Sequence, residues 1–242
     1  MKIGGKMSDF WLIINVILDA FPWIFLLYMP FKDRLRFSRI TTVLANFVVL
    51  TLYYISFKRI IGEDFYNLDI MLAYRMVQIF VVLILCIYFI NDFIQKVLFV
   101  FGQLLPISVF VLVWASHTNN YITIKQSATY LDTAVLRIII SCVCFPFMYI
   151  LWKKYIVPVV KTDNKRQWKY GWIIPMIFSI VSLSYCENNF EITYMHLHQV
   201  LARLTLSIGV VIVSVMQFRA VRTEESFVRA EEKAKRSIIS RL

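Results

Sequence analysis

Charge is what this chain has least of: 17% of its 242 residues are Asp, Glu, Lys or Arg, against 60% that are hydrophobic. A single water-soluble core is excluded, because too little polar surface would remain to cover it. Lipid is left as the solvent. There every backbone N–H and C=O must be bonded within the chain, so only helices or a closed barrel are open to it. The barrel fails too, since two-residue alternation is missing and the apolar runs are far too long for barrel strands. Glycine is scarce, at six, and no glycine-rich phosphate loop is present. Of the three histidines, His196 and His198 would point to different faces of a helix and His117 stands by itself, so no metal site is expected. Cys86, Cys142 and Cys144 fall inside apolar runs and only Cys186 approaches a loop, which gives no disulfide framework.

What is present is a series of apolar runs, each near the roughly 20 residues that a helix needs to cross a hydrocarbon core. They predict an all-α fold, a seven-transmembrane-helix bundle with spans at 8–30, 37–57, 70–90, 93–115, 133–152, 169–186 and 196–218. The first is not a signal peptide. It is too long for that, Asp19 interrupts it, and Met29-Pro30-Phe31 is not a small-residue cleavage site. Trp11, Trp114, Trp152 and Trp168 fall near span ends, where an interfacial belt of aromatic rings is expected. The halves carry no repeat, which weighs against a transporter built from inverted repeats.

Lysine and arginine set the orientation. One face collects Lys32, Arg34, Arg36, Arg39, Lys96, Lys153, Lys154, Lys161, Lys165, Arg166, Lys169 and the basic residues of the tail. The other holds Lys2, Lys6, Lys58, Arg59 and Lys125. The expected protein therefore sits in the cell membrane as a multi-pass chain, N-terminus outside and C-terminus cytoplasmic. The net charge of +11 follows largely from this asymmetry, and no nucleic-acid partner is needed to account for it.

Ionisable residues inside spans are costly, which makes them the first candidates for function. Asp19 lies near mid-bilayer, where its short side chain cannot reach water, and it reads as a structural polar residue, protonated or paired inside the bundle. Arg75, Arg137 and Arg203 each lie about two helical turns below the outer surface, in one layer. With Glu187 and Glu191 above them they outline a ligand-binding pocket whose guanidinium floor would take a carboxylate from a peptide or small anionic ligand. The competing reading is that each arginine snorkels to the headgroups or pairs with a loop carboxylate.

No catalytic set stands out, and no cofactor is expected. The final span carries Arg203 where a retinal protein would need a lysine. Glu224-Glu225-Ser226-Phe227-Val228-Arg229 matches the first motif of CAAX-type intramembrane proteases, but it falls in the tail with no histidine after it. The chain is not expected to be an enzyme.

Residues 219–242 are rich in Ala, Glu, Lys and Arg and contain neither Gly nor Pro, so the last span should continue as one helix. Glu225–Arg229, Glu231–Lys235 and Glu232–Arg236 are acidic-to-basic pairs at helical spacing, each contributing about 0.2–0.5 kcal/mol. Phe227 and Ala234 repeat at seven residues, with Ile238 offset by four, a short seam that suits a coiled coil and hence a homodimer. Arg219 and Arg222 are placed to grip anionic lipid. Two domains follow: a membrane sensor domain at 1–218 and a signalling helix at 219–242.

A multi-span module followed by an unbroken helix of the type Ala230-Glu231-Glu232-Lys233-Ala234-Lys235-Arg236 resembles the sensor half of bacterial receptor histidine kinases with GHKL-type ATPase domains, including Agr-type peptide-pheromone receptors. The resemblance implies a two-component sensor that passes an extracellular or intramembrane signal through its last helix. It also implies a dimerisation segment with a phosphoacceptor histidine and an ATPase domain beyond. No histidine follows His198, so the chain is expected to be the sensor part of a longer kinase or a shortened, kinase-less relative. Its other readings are a small transporter or channel, with Asp19 and the arginines as a polar path, or an accessory membrane protein.

Overall fold

The computed structural model describes residues 20–61, 68–122, 130–163, 165–184 and 197–239, and within them the chain is all-helical, as the apolar runs predict. Helix α1 (Ala20–Phe31) tightens into a 3-10 turn at Met29–Phe31, with Pro30 inside that turn. Then come α2 (Arg39–Ile61), α3 (Leu68–Phe89), α4 (Ile94–Ile122) and α5 (Tyr130–Leu151). Helix α6 runs over Lys165–Gly171 and resumes at Ile173–Ser184, and α7 is Leu197–Ile239.

Four of the seven expected spans hold segments long and apolar enough to cross a membrane: Arg39–Ser56, Ile94–Val111, Ile138–Lys161 and Leu201–Lys235. Ala20–Phe31, Met76–Phe89 and Trp168–Leu183 are apolar but shorter among the described residues. The fifth run departs from its expected end at 152. It passes through a π turn at Trp152–Ile156, where Val157 N–H reaches back to the Trp152 carbonyl, and continues as helix over Val157–Lys161. Pro158, which has no N–H to offer, sits just beyond this wider turn, so Lys153, Lys154 and Lys161 are on helix rather than loop.

Helix α4 is the centre of the bundle. Within its crossing segment 72% of residues are buried, against 22% for α2 and α7 and 33% for α5, and it packs on α5, α6 and α7. The outer helices turn large apolar side chains outward: Ile40, Leu44, Val48 and Leu52 on α2, and Ile139, Val143, Phe147 and Ile150 on α5. Those spacings place each set along one helix face, the surface that a bilayer would cover. Trp152 and Trp168 do not join an interfacial belt. Both are buried, and Trp168 meets Phe99 edge to face at 5.4 Å. The lysine-rich segments around them had placed them at the surface by sequence position alone.

Proline shapes the contacts of the central helix. Pro106 in α4 cannot donate to the carbonyl four residues back, and that carbonyl, of Gly102, instead accepts from Ser179 Oγ of α6 at 2.9 Å. The same spacing recurs at Gly171 and Pro175, and there the Gly171 carbonyl accepts from Gln217 Nε2 of α7 at 3.0 Å. Gly102 also lets two backbones meet, since a Cβ at that position would lie 2.9 Å from the Pro175 carbonyl carbon. Gly209 of α7 makes room for the Phe178 ring in the same way, because a Cβ there would come within 2.9 Å of a ring carbon.

Two outcomes are expected from thermal unfolding in detergent. Ser179→Ala destabilises by about 1 kcal/mol when Pro106 is present and by much less in a Pro106→Ala background, where the restored N–H can take the Gly102 carbonyl. Equal effects in both backgrounds would refute the proline-relief account. Gly102→Val lowers stability by about 1–3 kcal/mol through overpacking, without any change in charge or polarity.

Candidate functional site

Three loops of the basic face are tied together by four charges. Arg34, between α1 and α2, donates to Asp92 Oδ2 at 2.6 Å and forks onto Asp163 at 2.9 and 3.2 Å. Lys96, in the first turn of α4, reaches Asp163 Oδ1 at 2.7 Å and Asp92 Oδ1 at 3.3 Å. Cations and anions alternate, so each neutralises the next. The backbone supports the arrangement: Leu35 and Ile90 form an isolated antiparallel bridge, with Arg36 N–H donating to the Phe89 carbonyl and Asn91 N–H to that of Arg34. Trp168 Nε1 donates to the Thr162 carbonyl and so fixes the segment that presents Asp163.

Lys96 is the member that gives this cluster its weight. Sequence position put it among the surface charges of the basic face, but its side chain is 0% exposed. Its ammonium lies 5.5 Å from the Phe93 ring and 5.6 Å from that of Trp168, faces that attract a cation. An ammonium in such surroundings requires its carboxylates. Asp163 has a 65% exposed side chain, yet Lys96 and then Arg34 hold its carboxyl down to about 2 from the ordinary 3.8. The same contacts, Asp163 first, hold the Arg34 guanidinium above its usual value.

The last helix presents a polar face to the bundle. Arg203, Ser207, Val210, Ser214 and Val221 are buried along one stripe. Ser207 Oγ lies 3.2 Å from the Pro106 carbonyl, Ser214 Oγ donates to Gln103 Oε1 at 2.6 Å, and Gln217 holds Gly171. Beyond Phe218 the helix continues without interruption to Ile239, and apart from Val221 its residues up to Lys235 whose burial is described are exposed. Phe227 is 71% exposed, and Ala234 is exposed one heptad later. Of the expected helix-stabilising pairs, Glu231–Lys235 is formed at 2.7 Å.

Among the residues singled out from sequence, Arg203 is 1% exposed and shares its helix face with Ser207 one turn along, against α4. A guanidinium so deeply buried requires a partner, and Arg203 is not without one. Arg75 falls on α3 and Arg137 on α5, Ile238 lies in the last turn of α7, and Asp19, Glu187 and Glu191 lie outside the described residues. A cleft of about 180 Å³ opens between α1, α2, α3 and α4, walled by Trp23, Leu27, Leu50 and Leu104, with Gln78 and Ser108 as its polar residues. Among the described residues no group of His, Cys, Asp and Glu is arranged to hold a metal ion. Sequence reading missed Asp92 and Asp163. The signal was available: an acid four residues before a lysine that opens an apolar helix, and a single acid in the lysine-rich segment before α6.

Comparison with protein-family models, with curated proteins and with solved structures gives no match for this chain.

The burial difference sets a stability order. Asp92→Ala removes the buried one of the two carboxylates that hold the Lys96 ammonium, leaving Asp163 alone, and is expected to cost about 2 kcal/mol. Asp33→Ala removes an exposed pair with Arg39 at 3.3 Å and should cost under about 1 kcal/mol. Unfolding midpoints in detergent check the order. For Asp163 the folded carboxyl is the stronger acid, so its stabilisation is complete above the ordinary carboxylate range and fades as pH falls from 3.8 toward about 2. An Asp163→Asn variant should be less stable at neutral pH and show a shallower acid dependence across that window; identical acid profiles would refute the assignment.

Proposed function

We propose that the chain is a membrane-embedded signal-receiving module: seven crossings, the N-terminus outside, the basic face and C-terminus in the cytoplasm. The last helix conveys a change in the bundle to a cytoplasmic output. The observation that carries this reading is α7, a single helix over Leu197–Ile239 whose first half is packed on α4 through a polar stripe and whose second half stands clear of the bundle. Helices are stiff, so a rotation or axial shift imposed on the stripe arrives at Phe227 and Ala234. The resemblance to kinase-type sensors, Agr-type receptors among them, gives the same direction of signal flow, from an outer peptide or small anionic ligand at Arg75, Arg137 and Arg203 to a dimer formed by the tail. Transport is the rival class, and flux through vesicles containing the purified chain alone would favour it.

Cysteine cross-linking in membranes tests the dimeric lever. With the native cysteines replaced by alanine, Phe227→Cys and Ala234→Cys are expected to form disulfide-linked dimers, and Arg229→Cys and Glu232→Cys, on the opposite side of the helix, are not. A Thr223→Pro break between bundle and seam should weaken the pattern. Cross-linking that ignores helix phase, or none at either seam position, overturns the proposal.

A further inference from the structure

Where α5 widens into its π turn it lies against α7, and the contact is aromatic. Tyr155 and Phe218 meet edge to face, ring centroids 5.4 Å apart at 87°. Each ring carries a cation: Lys154 Nζ is 5.3 Å from the Tyr155 centroid, and the Arg222 guanidinium carbon is 5.3 Å from that of Phe218. Lys153 and Arg219 adjoin them in sequence, and all four basic residues are exposed. In contrast to Arg34 and Lys96, none of the four forms an ion pair with a described acidic residue. Cations gathered from two helices onto one aromatic pair repel one another until an anion is shared between them.

What lies next to these cations decides which anion. On α5, Phe147 and Ile150 precede Lys154 by seven and four residues, hence on the same helix face, and are 66% and 62% exposed. On α7, Ile212 and Met216 stand in the same relation to Arg219, seven and three residues before it, and are 53% and 64% exposed. Each helix thus presents a bare apolar strip that leads up to its cations. A free anion would use only the charges, whereas an anionic phospholipid uses both.

The geometry points to a phospholipid headgroup site at the junction of α5 and α7, with the phosphate between Lys154 and Arg222 and the acyl chains along the strips that end at Ile150 and Met216. The site rests on the membrane reading above but adds a defined ligand class and position to it. Because it joins the π turn to the point where α7 leaves the bundle, a bound headgroup would brace the base of the exposed helix. The π turn is the local feature that presents Lys153, Lys154 and Tyr155 here while Trp152 and Ile156 remain buried.

The full chain in phosphatidylcholine vesicles, with phosphatidylglycerol at about one lipid in five, allows a direct test by spin-labelled lipid. The wild-type protein is expected to hold phosphatidylglycerol in preference to phosphatidylcholine. Lys154→Gln and Arg222→Gln should each lower that preference roughly fivefold, as expected for one juxtamembrane cation. Arg36→Gln, which removes an exposed charge from the same face outside the site, should leave it unchanged. Equal losses in all three variants would mean a diffuse basic surface and overturn the site. Displacement of phosphatidylglycerol by inorganic phosphate at comparable concentration would mean a free-anion site and overturn it as well. A chain that enters phosphatidylcholine vesicles without headgroup preference sinks this inference alone; one that does not enter them sinks the membrane reading with it.

Discussion

A carbonyl left without its N–H in a packed helix has to find another donor, and two such carbonyls, one buried at Gly102 and one part-buried at Gly171, organise the helices of this protein. Pro106 strands Gly102 and Pro175 strands Gly171; Ser179 of α6 answers the first and Gln217 of α7 the second. Each relief comes from a different helix, so α4 is bonded to α6 and α6 to α7. Ser207 and Ser214 close the triangle from α7 back to α4. In lipid the apolar surfaces of neighbouring helices are no more attracted to each other than to acyl chains. Small and polar contacts of this kind therefore fix register and rotation, while leucine and phenylalanine supply bulk. Gly102 adds the steric half of the same logic by letting the α4 backbone approach Pro175.

At the basic edge of the bundle the ordering force changes from backbone relief to charge. Arg34, Asp92, Lys96 and Asp163 join segments far apart in the sequence, and the buried ammonium at the centre makes the cluster sensitive to the loss of either carboxylate. The two systems share α4: Lys96 opens it, and Gly102, Gln103 and Pro106 follow within the next turns. The central helix is thus held at its charged end by loops and along its length by α6 and α7. The outer faces of α2 and α5 carry little besides aliphatic and aromatic side chains.

Much of this architecture was legible in the sequence, and the parts that were not share a cause. Run length and composition give the helical class and most helix positions, because crossing a hydrocarbon core demands both. They do not give the end of α5, since Lys153 and Lys154 look like a loop while the backbone continues through a π turn. They misplace Lys96, Trp152 and Trp168, which position assigns to the membrane surface and three-dimensional packing puts inside. The repeated spacing of Gly102 with Pro106 and Gly171 with Pro175 is plain once the donors are known. A proline identifies which carbonyl is stranded, but nothing local identifies the side chain that will reach it. Among the candidate site residues Arg203 was recognisable by its cost in a span, whereas Asp92 and Asp163 resembled ordinary loop acids.

The bonds that hold α7 differ in what happens when they are released. Ser207 and Ser214 each have one hydroxyl proton and a second acceptor within reach, the carbonyl of Arg203 and of Val210 in their own helix, at 2.8 Å. Either serine can leave α4 without stranding its hydroxyl. Gln217 is different, because its departure strips the Gly171 carbonyl of the donor that Pro175 already denied it. The departure of Ser214 likewise leaves the buried Gln103 Oε1 without its donor, so resistance to sliding or turning of α7 lies at Ser214 and Gln217, toward the end of its buried stripe, and less at Ser207.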